Sequence, residues 1–587
     1  MNKNIAKIFK DFSIMYKYLG GDNRFRAIAY SKASKVIDAM QEDIVDFKKK
    51  KSLKDIPGIG DGLADKMEEF IKTGRIKEYD RLKKLVPIEL TNLMEIKGFG
   101  PHSLKKIHEE LNIDSHQKIV EALQNGSIAK LKGFGKKKIG NMLRGLKLHK
   151  SVEDRMLLWD AIKLGDKLIG WIREIPGVVK AELAGSLRRK KETIGDFDIL
   201  IACEEKDRKK VIDAFSTSDH VGSILLKGNT KVSVILKKSG KQIDFRIVDV
   251  DEWGAALQYF TGSKEHNIHI RKIAKEKGFK ISEYGIFKKT TGEKIASRNE
   301  EEIYNTLSYQ FMPPEMREDK GEIELAAKHE IPVLINKEDL KGDFHIHSLW
   351  SDGVNSIDEI VAFIKKSFNY EYIVLTDHSK SLKIANGLDE KHILNQIKAI
   401  EEINKKLGSN FVKYGVEVEI LTDGKLDLPD HILSKLDWVT ASIHTNVTQN
   451  ITERLIKACE NPYVNCLSHP TGRKIGLRES YVTEIEKIIE SAKKTNTALE
   501  INGQPNRMDL NDDMAMLARK KGVKLVLGSD GHATSDFEYI QLSVFIAKRA
   551  WCKKEDILNT YSWDEIEKFT RLKRENNLVD KQEVVNA

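Results

Sequence analysis

Two groups of residues in this chain have the types and spacing that metal-assisted phosphate chemistry requires. The first is Gly195-Asp196-Phe197-Asp198, followed downstream by Asp244 in the run QIDFR. Asp196 and Asp198 stand two apart, so on a strand both carboxylates project from one face. Asp244 on a neighbouring strand would complete a cluster of three. Such a cluster repels itself unless divalent cations neutralise it, and a pair of Mg²⁺ or Mn²⁺ ions suits in-line displacement at phosphorus. Just upstream, the turn Gly185-Ser186-x-Arg188-Arg189 puts Ser186 and Arg189 where a triphosphate could be held. An isolated Asp-x-Asp is usually a solvated strand edge, but the turn and the third carboxylate argue against that here.

The second group is dispersed along the C-terminal half: Asp343-Phe-His345-Ile-His347, Asp352, Asp377-His378, Glu417, His444, His469 and Asp530-Gly-His532. A lone His is most often a packing or capping residue. A set of imidazoles and carboxylates recurring after successive apolar runs is different, because that mixture suits Mn²⁺, Zn²⁺ or Fe²⁺. Arg473, four residues after His469, reads either as a phosphate-holding cation or as a surface charge.

The elements that must position these residues are legible in the periodicity. YIVLTDH, FVKYGVE, WVTASIH, NCLSHP and KLVLGSDGH read as strands with a polar ligand at the carboxyl end, separated by helix-like stretches such as SIDEIVAFIKKS and TEIEKIIESAKK. That order predicts an α/β barrel with its site at the C-terminal face. Around the first group, AELAGSLRR, DFDILIAC, KVSVILKK and QIDFRIVDV read as short strands. Residues 1–150 read as nearly all helical and contain one pattern three times: Ile56-Pro-Gly58-Ile-Gly60, Ile96-Lys-Gly98-Phe-Gly100 and Leu131-Lys-Gly133-Phe-Gly135. Each precedes a helix-like stretch. The glycines permit a tight turn, and the helix adds the positive end of its dipole, so each turn can hold a phosphate.

The bulk numbers agree. With 587 residues the chain exceeds one hydrophobic core and predicts several domains. The net charge of +10 is concentrated in runs such as Lys48–Lys51 and Lys136–Lys138, which favours a polyanionic partner. Cys203, Cys459, Cys466 and Cys552 form neither a Cys-x-x-Cys pair nor a disulfide framework, as expected for a reducing cytoplasm. The N-terminus reads as a helix and not as a signal peptide, and no apolar stretch is long enough to span a bilayer.

The glycine repeat resembles the helix-hairpin-helix motif, which grips DNA backbones without reading sequence. Residues 1 to about 315 resemble family X DNA polymerases, most specifically through Tyr259-Phe260-Thr261-Gly262-Ser263 and His266-Asn267. The resemblance implies that Tyr259 or Phe260 presses against the sugar and disfavours a 2′-hydroxyl. It implies that Asn267 contacts the base edge, that Arg246 tunes the carboxylates, and that Gly195 and Gly262 belong to the nucleotide pocket. Lys264 and His266 depart from the mammalian repair enzyme, which has an acid and an aromatic there. In members that remove a 5′-deoxyribose phosphate, a lysine at the spacing of Lys66 forms a Schiff base. Phe25 and Gly62 replace polar family positions near it, and Lys66 reads equally as an exposed helical lysine.

Residues from roughly 340 to 575 resemble the PHP (polymerase and histidinol phosphatase) superfamily. All nine of its metal-ligand positions are filled here, by His345, His347, Asp352, His378, Glu417, His444, His469, Asp530 and His532. The resemblance implies three metal ions bridged by Glu417.

The expected architecture is multidomain, α+β and α/β. It comprises an N-terminal helical, lyase-like domain (1–85), a helix-hairpin-helix domain (86–150), a nucleotidyltransferase palm (151–250), a thumb-like nucleotide-binding subdomain (251–315), a linker (316–340) and a distorted PHP-type barrel (341–575). The expected activity is DNA polymerisation in short-gap or base-excision repair, joined to a 3′–5′ exonuclease, with trimming of blocked 3′ ends or cutting of abasic sites as candidate additional activities. Gapped or primed DNA and deoxynucleoside triphosphates are the expected partners of a cytoplasmic monomer. A small-molecule phosphatase would have no use for three helix-hairpin-helix turns. A non-catalytic DNA scaffold would not need intact carboxylates and ligands, and a template-independent nucleotidyltransferase would not be expected to carry the YFTGS turn.

Overall fold

The computed structural model describes residues 1–40, 42–94, 96, 98–153, 155–482 and 484–585. Lys97, the spacer of the second glycine repeat, and Thr483, the first residue of the TEIEKIIESAKK stretch, lie outside the described residues.

The N-terminal part is helical. Helices α1 (Asn2–Leu19) and α2 (Asn23–Ala39) pack through aromatic residues spaced three and four apart, with Phe12 stacked on Tyr30 at 4.6 Å. Each glycine repeat is a turn leading into a helix: α3 (Asp61–Thr73), α4 (Pro101–Leu111) and α5 (Lys136–Glu153). The first glycine of each turn is left-handed, with φ of +79° at Gly58, +101° at Gly98 and +89° at Gly133. A side chain there would strain the backbone. At Gly98 it would also collide with Met142 of α5, since a Cβ would lie 2.6 Å from that side chain.

The palm is a five-stranded sheet of β1 (Val178–Leu183), β2 (Phe197–Cys203), β3 (Val221–Lys227), β4 (Lys231–Leu236) and β5 (Gln242–Val248), in the order β1-β2-β5-β4-β3. Only β2 and β5 run parallel. The AELAGSLRR stretch is not strand throughout. β1 ends at Leu183, and Gly185–Arg188 forms a single helical turn, α6, because Gly185 takes φ +57° and redirects the chain. The thumb-like part contains α7 (Trp253–Thr261), a three-stranded antiparallel sheet and α8 (Glu300–Thr306).

Residues 316–340, read from sequence as a linker, are packed for much of their length. Ile323 and Ala326 are buried with Ile270 and Tyr304 of the thumb, while Met316 and Ile335 belong to the core shared by palm and barrel. The charges that suggested a connector hide the apolar residues between them.

The C-terminal part is a seven-stranded parallel sheet in sequential order: β6 (Gly342–Ile346), β7 (Tyr372–Leu375), β8 (Val412–Glu419), β9 (Trp438–Ser442), β10 (Cys466–Leu467), β11 (Ala498–Asn502) and β12 (Leu525–Gly528). A parallel bridge between Ile346 and Gly531 brings its edges together into a nearly closed barrel. The strands are almost entirely buried, as expected for parallel strands covered by helices on the outside and packed side chains within. Helix α9 (Ile540–Arg549) packs beside β11 and β12 and reaches the palm.

Candidate active sites

In the palm, parallel pairing places Asp198 on β2 opposite Asp244 on β5, with Asp196 at the entrance of β2. Burial, then the neighbouring Asp196 and Asp244, push the Asp198 carboxyl up to about 6. Burial also works against Asp244, but Lys231 at 2.5 Å, Gln242 at 2.9 Å and Ser233 outweigh it and hold its pKa below the ordinary range. Gly185 is required at this point: a Cβ would sit 2.3 Å from the Asp198 carboxylate. A half-buried acidic cluster with one carboxyl held towards its protonated form is the donor set that divalent cations relieve.

The other residues expected to form a nucleotide pocket are held by internal partners. The Arg246 guanidinium lies 4.9 Å from the Phe260 ring centre. Tyr259 and Phe260 occupy the last turns of α7, which Gly262 ends with φ +72°. The Asn267 amide accepts from Gln258 at 2.9 Å and donates to the Tyr259 carbonyl at 2.7 Å. Ser186 and Arg189 line a cleft of 450 Å³ between palm and barrel, along with Arg155, Lys190, Lys191 and Arg549. The Arg189 guanidinium is directed to Glu318 at 3.1 Å and to the Thr261 carbonyl at 2.5 Å. Gly195 sits beside Arg155, whose guanidinium a Cβ would meet at 3.0 Å.

At the C-terminal ends of the barrel strands, all nine expected ligands converge. Glu417 is central: its carboxylate lies 2.9 Å from His378, 2.9 Å from His469, 3.4 Å from His444, 3.5 Å from His345 and 3.6 Å from His347. Asp530 adds contacts at 3.4 Å to His347 and 3.6 Å to His532, and Asp352 lies 3.3 Å from His532 and 3.6 Å from His378. Three overlapping sets have ligand atoms within 4.8 Å of one another: His347, Asp352, His378 and His532; His345, His347 and Glu417; His378, Glu417 and His444. Within them His347 Nδ1, Asp352 Oδ1 and Glu417 Oε2 are buried with no hydrogen-bond partner. Orphaned polar atoms are costly in a protein interior, and as metal donors they cease to be orphans. The donor set fits divalent metal ions.

Burial opposes a charge on His345 and His378, yet the surrounding carboxylates outweigh it. Glu500, Glu417 and Asp530 hold His345 well above its ordinary value, and Glu417 and Asp352 raise His378 to about 9.

Two residues essential to this geometry were not singled out in the sequence. His345 Nδ1 donates to Glu500 at 2.6 Å, and His444 Nδ1 donates to Glu419 at 2.9 Å. A carboxylate only accepts, so in each case Nε2 is left facing the cluster. Glu419 was findable as the residue two beyond Glu417 on the same strand face. Glu500 sits on a short strand without histidine, where only the apolar alternation of ALEIN marks an element. Arg473 turns away from the cluster, bonding Glu192 of the palm and the Arg507 carbonyl. Arg507 lines the cleft instead, 3.8 Å from Asp530. Lys66 is paired with Glu78 at 2.7 Å, and Glu78 also accepts from Tyr16 at 2.6 Å.

Comparison with known proteins agrees with both halves. A helix-hairpin-helix domain model matches residues 1–76, and a DNA polymerase beta thumb model matches residues 256–318. The DNA polymerase/3′-5′ exonuclease PolX of Bacillus subtilis (strain 168) is 36% identical over 574 residues, covering 97% of this chain and 99% of that protein. The chain belongs to the PolX family. Probable phosphatases resemble the C-terminal part of this PolX chain. One from Thermoanaerobacter sp. (strain X514) is 31% identical over 37% of this chain and 89% of its own length. Another from Acetivibrio thermocellus is 27% identical over 40% of this chain and 96% of its own length. Membership of PolX and the phosphatase relatives imply that divalent metals are used. No helix among the described residues is long and apolar enough to cross a membrane.

Proposed function

We propose that this PolX chain extends DNA 3′ ends at short gaps from the palm and removes 3′-terminal nucleotides at the barrel. The observation that carries the reading is that one chain holds two separate acidic centres: Asp198 paired with Asp244 near Asp196 in the palm, and three overlapping donor sets that could hold metal ions at the mouth of the barrel. The Bacillus subtilis relative is named for both activities. The substrates are gapped or primed DNA and deoxynucleoside triphosphates, and the protein works as a cytoplasmic monomer in base-excision repair.

At the palm, Asp196, Asp198 and Asp244 would hold two Mg²⁺ or Mn²⁺ ions. At the barrel the nine residues would hold Mn²⁺, Zn²⁺ or Fe²⁺, three ions in all, with Glu417 offering carboxylate donors to more than one donor set. When bound, these ions lower the pKa of the attacking hydroxyl or water and neutralise charge developing on the phosphate. The protein's own part is positional. Gly185 leaves room for the Asp198 carboxylate, and Ser186 and Arg189 offer donors to a triphosphate once Arg189 leaves Glu318. Phe260, braced by Arg246, forms the wall against which the sugar packs. In the barrel, Glu500 and Glu419 orient His345 and His444, and Arg507 supplies a cation to the scissile phosphate. The three glycine turns hold the backbone of the same DNA for either reaction.

A labelled primer on gapped DNA, incubated with Mg²⁺ or Mn²⁺ with and without nucleotides, tests both assignments. Asp196→Ala combined with Asp198→Ala is expected to abolish extension, and His345→Ala to abolish shortening. Extension surviving in the first variant, or shortening in the second, rejects the corresponding site.

A further inference from the structure

The barrel cleft is not built from the barrel alone. Its volume is 670 Å³, and one wall consists of Ile28, Ser31, Lys32, Lys35 and Asp38, all on α2 of the N-terminal part. These positions recur at three- and four-residue spacing and form one stripe of the helix. Another stripe, through Ala27, Tyr30, Ala33 and Ile37, is buried in the N-terminal core. The helix is therefore amphipathic in an unusual sense: its polar face looks onto metal ligands. Val354 and Ala533, the latter next to His532, belong to the same apolar cluster as the N-terminal core and fasten the two parts together.

The two lysines of that stripe face the cleft without an acidic partner among the described residues. Lys48, Lys50, Lys54 and Lys66 in the same region are each paired with an acid. Neither Lys32 nor Lys35 makes an ion pair or hydrogen bond to another described residue. Lys35 lines the same cleft as Asp352 and His532. Lys32 also lies against the first glycine turn, its Cε 4.0 Å from where a Cβ on Gly58 would be. Two unpartnered cations between a phosphate-gripping turn and a metal cluster have the placement that a phosphodiester backbone requires.

We propose that α2 is the outer wall of the barrel's active site and that Lys32 and Lys35 bind backbone phosphates of a DNA strand whose 3′ end lies among the metal ligands. This rests on the exonuclease reading above and adds to it that the site is composite. The barrel supplies the bond-cleaving groups, and the N-terminal part supplies the grip that selects a strand over a small phosphoester. The lysines are positioning residues for the terminal phosphodiester.

The test uses the full chain and two probes, a 5′-labelled single-stranded oligonucleotide and bis(p-nitrophenyl) phosphate, a diester whose one phosphate is the scissile one and which offers no further backbone phosphate to the lysines. In Lys32→Gln/Lys35→Gln the ratio of kcat/KM for the oligonucleotide to that for the small diester is expected to fall about tenfold, mostly through KM, as for two modest contacts on a wet surface. The dependence of log KM on log salt should flatten by about 1.4, at about 0.7 per lost single-strand phosphate contact. Lys32→Arg/Lys35→Arg should restore both. An unchanged ratio and salt slope, or equal losses on both probes, overturns the composite site while leaving the exonuclease reading intact. A wild-type chain that hydrolyses neither probe with any divalent metal overturns both.

Discussion

His345 and Glu500 show how much of a candidate metal site can rest on a residue outside its expected ligands. Because Glu500 can only accept, it fixes the imidazole with Nδ1–H outward and Nε2 inward, and it also holds the His469 backbone N–H at 2.7 Å. Glu500→Gln keeps the size and removes the charge. The affinity of the barrel for its metal is expected to fall about 10–100-fold, as for other partners of metal-bound histidines. Titrating metal into chelator-stripped protein while following 3′-end removal measures this, and a midpoint equal to wild type would sink the idea. pH gives an independent check. His378, raised to about 9, must lose its proton to act as a ligand, so metal affinity should climb as pH rises from 7 towards 9. The nine residues that converge here were legible in the sequence because imidazoles and carboxylates recur after successive apolar runs. Glu500 was not, because a glutamate alternating with Leu499 and Ile501 looks like any polar residue on a strand.

At the level of elements, the palm and thumb are joined by a buried ion network. Arg188 of α6 donates to Glu300 at 2.6 and 2.9 Å and to Thr261 at 2.6 Å, and Arg317 reaches Glu300 at 2.6 Å. Glu300 begins α8, so one carboxylate ties the Gly185–Arg188 turn, the end of α7 and the segment after the thumb. Burial works against its charge, yet Arg317 and Arg188 hold its pKa at about 2. A pKa below the unfolded value means stability that is complete above about pH 4.5 and is lost as pH falls towards 2. The shift corresponds to roughly 3 kcal/mol. Glu300→Gln should therefore cost about 3 kcal/mol at pH 7 by leaving two buried guanidinium groups undercompensated, and the gap should narrow below about pH 4.5. Hydrogen exchange across residues 253–318 reads this directly, and equal protection in variant and wild type would refute it. Local pattern revealed the glycine turns and most palm and barrel strands, but not β3, β11 or the thumb sheet. The packing of residues 316–340 escaped it, because a few apolar side chains among many charges carry no period, and only the thumb and barrel surfaces make them a core.

Across the whole molecule, the palm and barrel share one apolar core and a seam of charges, with Trp159 of the palm edge-on to Tyr539 of the barrel at 5.3 Å. The seam's centre is Arg549 on α9, nearly fully buried, bonding Asp512 at 2.6 and 3.0 Å, Glu318 at 3.0 Å and the Arg189 carbonyl at 2.8 Å. Arg189 and Arg549 are 360 residues apart, and no sequence pattern links one surface-looking arginine to another. The structure makes this pairing consequential, because Glu318 is shared between Arg549 and the Arg189 side chain expected to meet a triphosphate. With the core continuous, palm and barrel should unfold in a single calorimetric transition. Arg549→Ala leaves the carboxylates of Asp512 and Glu318 short of a partner at a buried seam, a loss of about 3–5 kcal/mol for a broken buried pair. The transition should then move down by several degrees and separate into palm and barrel components. The nucleotide KM for extension should rise with it, since the turn carrying Ser186 and Arg189 loses its anchor on the barrel. An Arg549→Ala thermogram that overlays wild type, with nucleotide KM unmoved, would mean that the two active sites share a chain and a surface but not a mechanical connection.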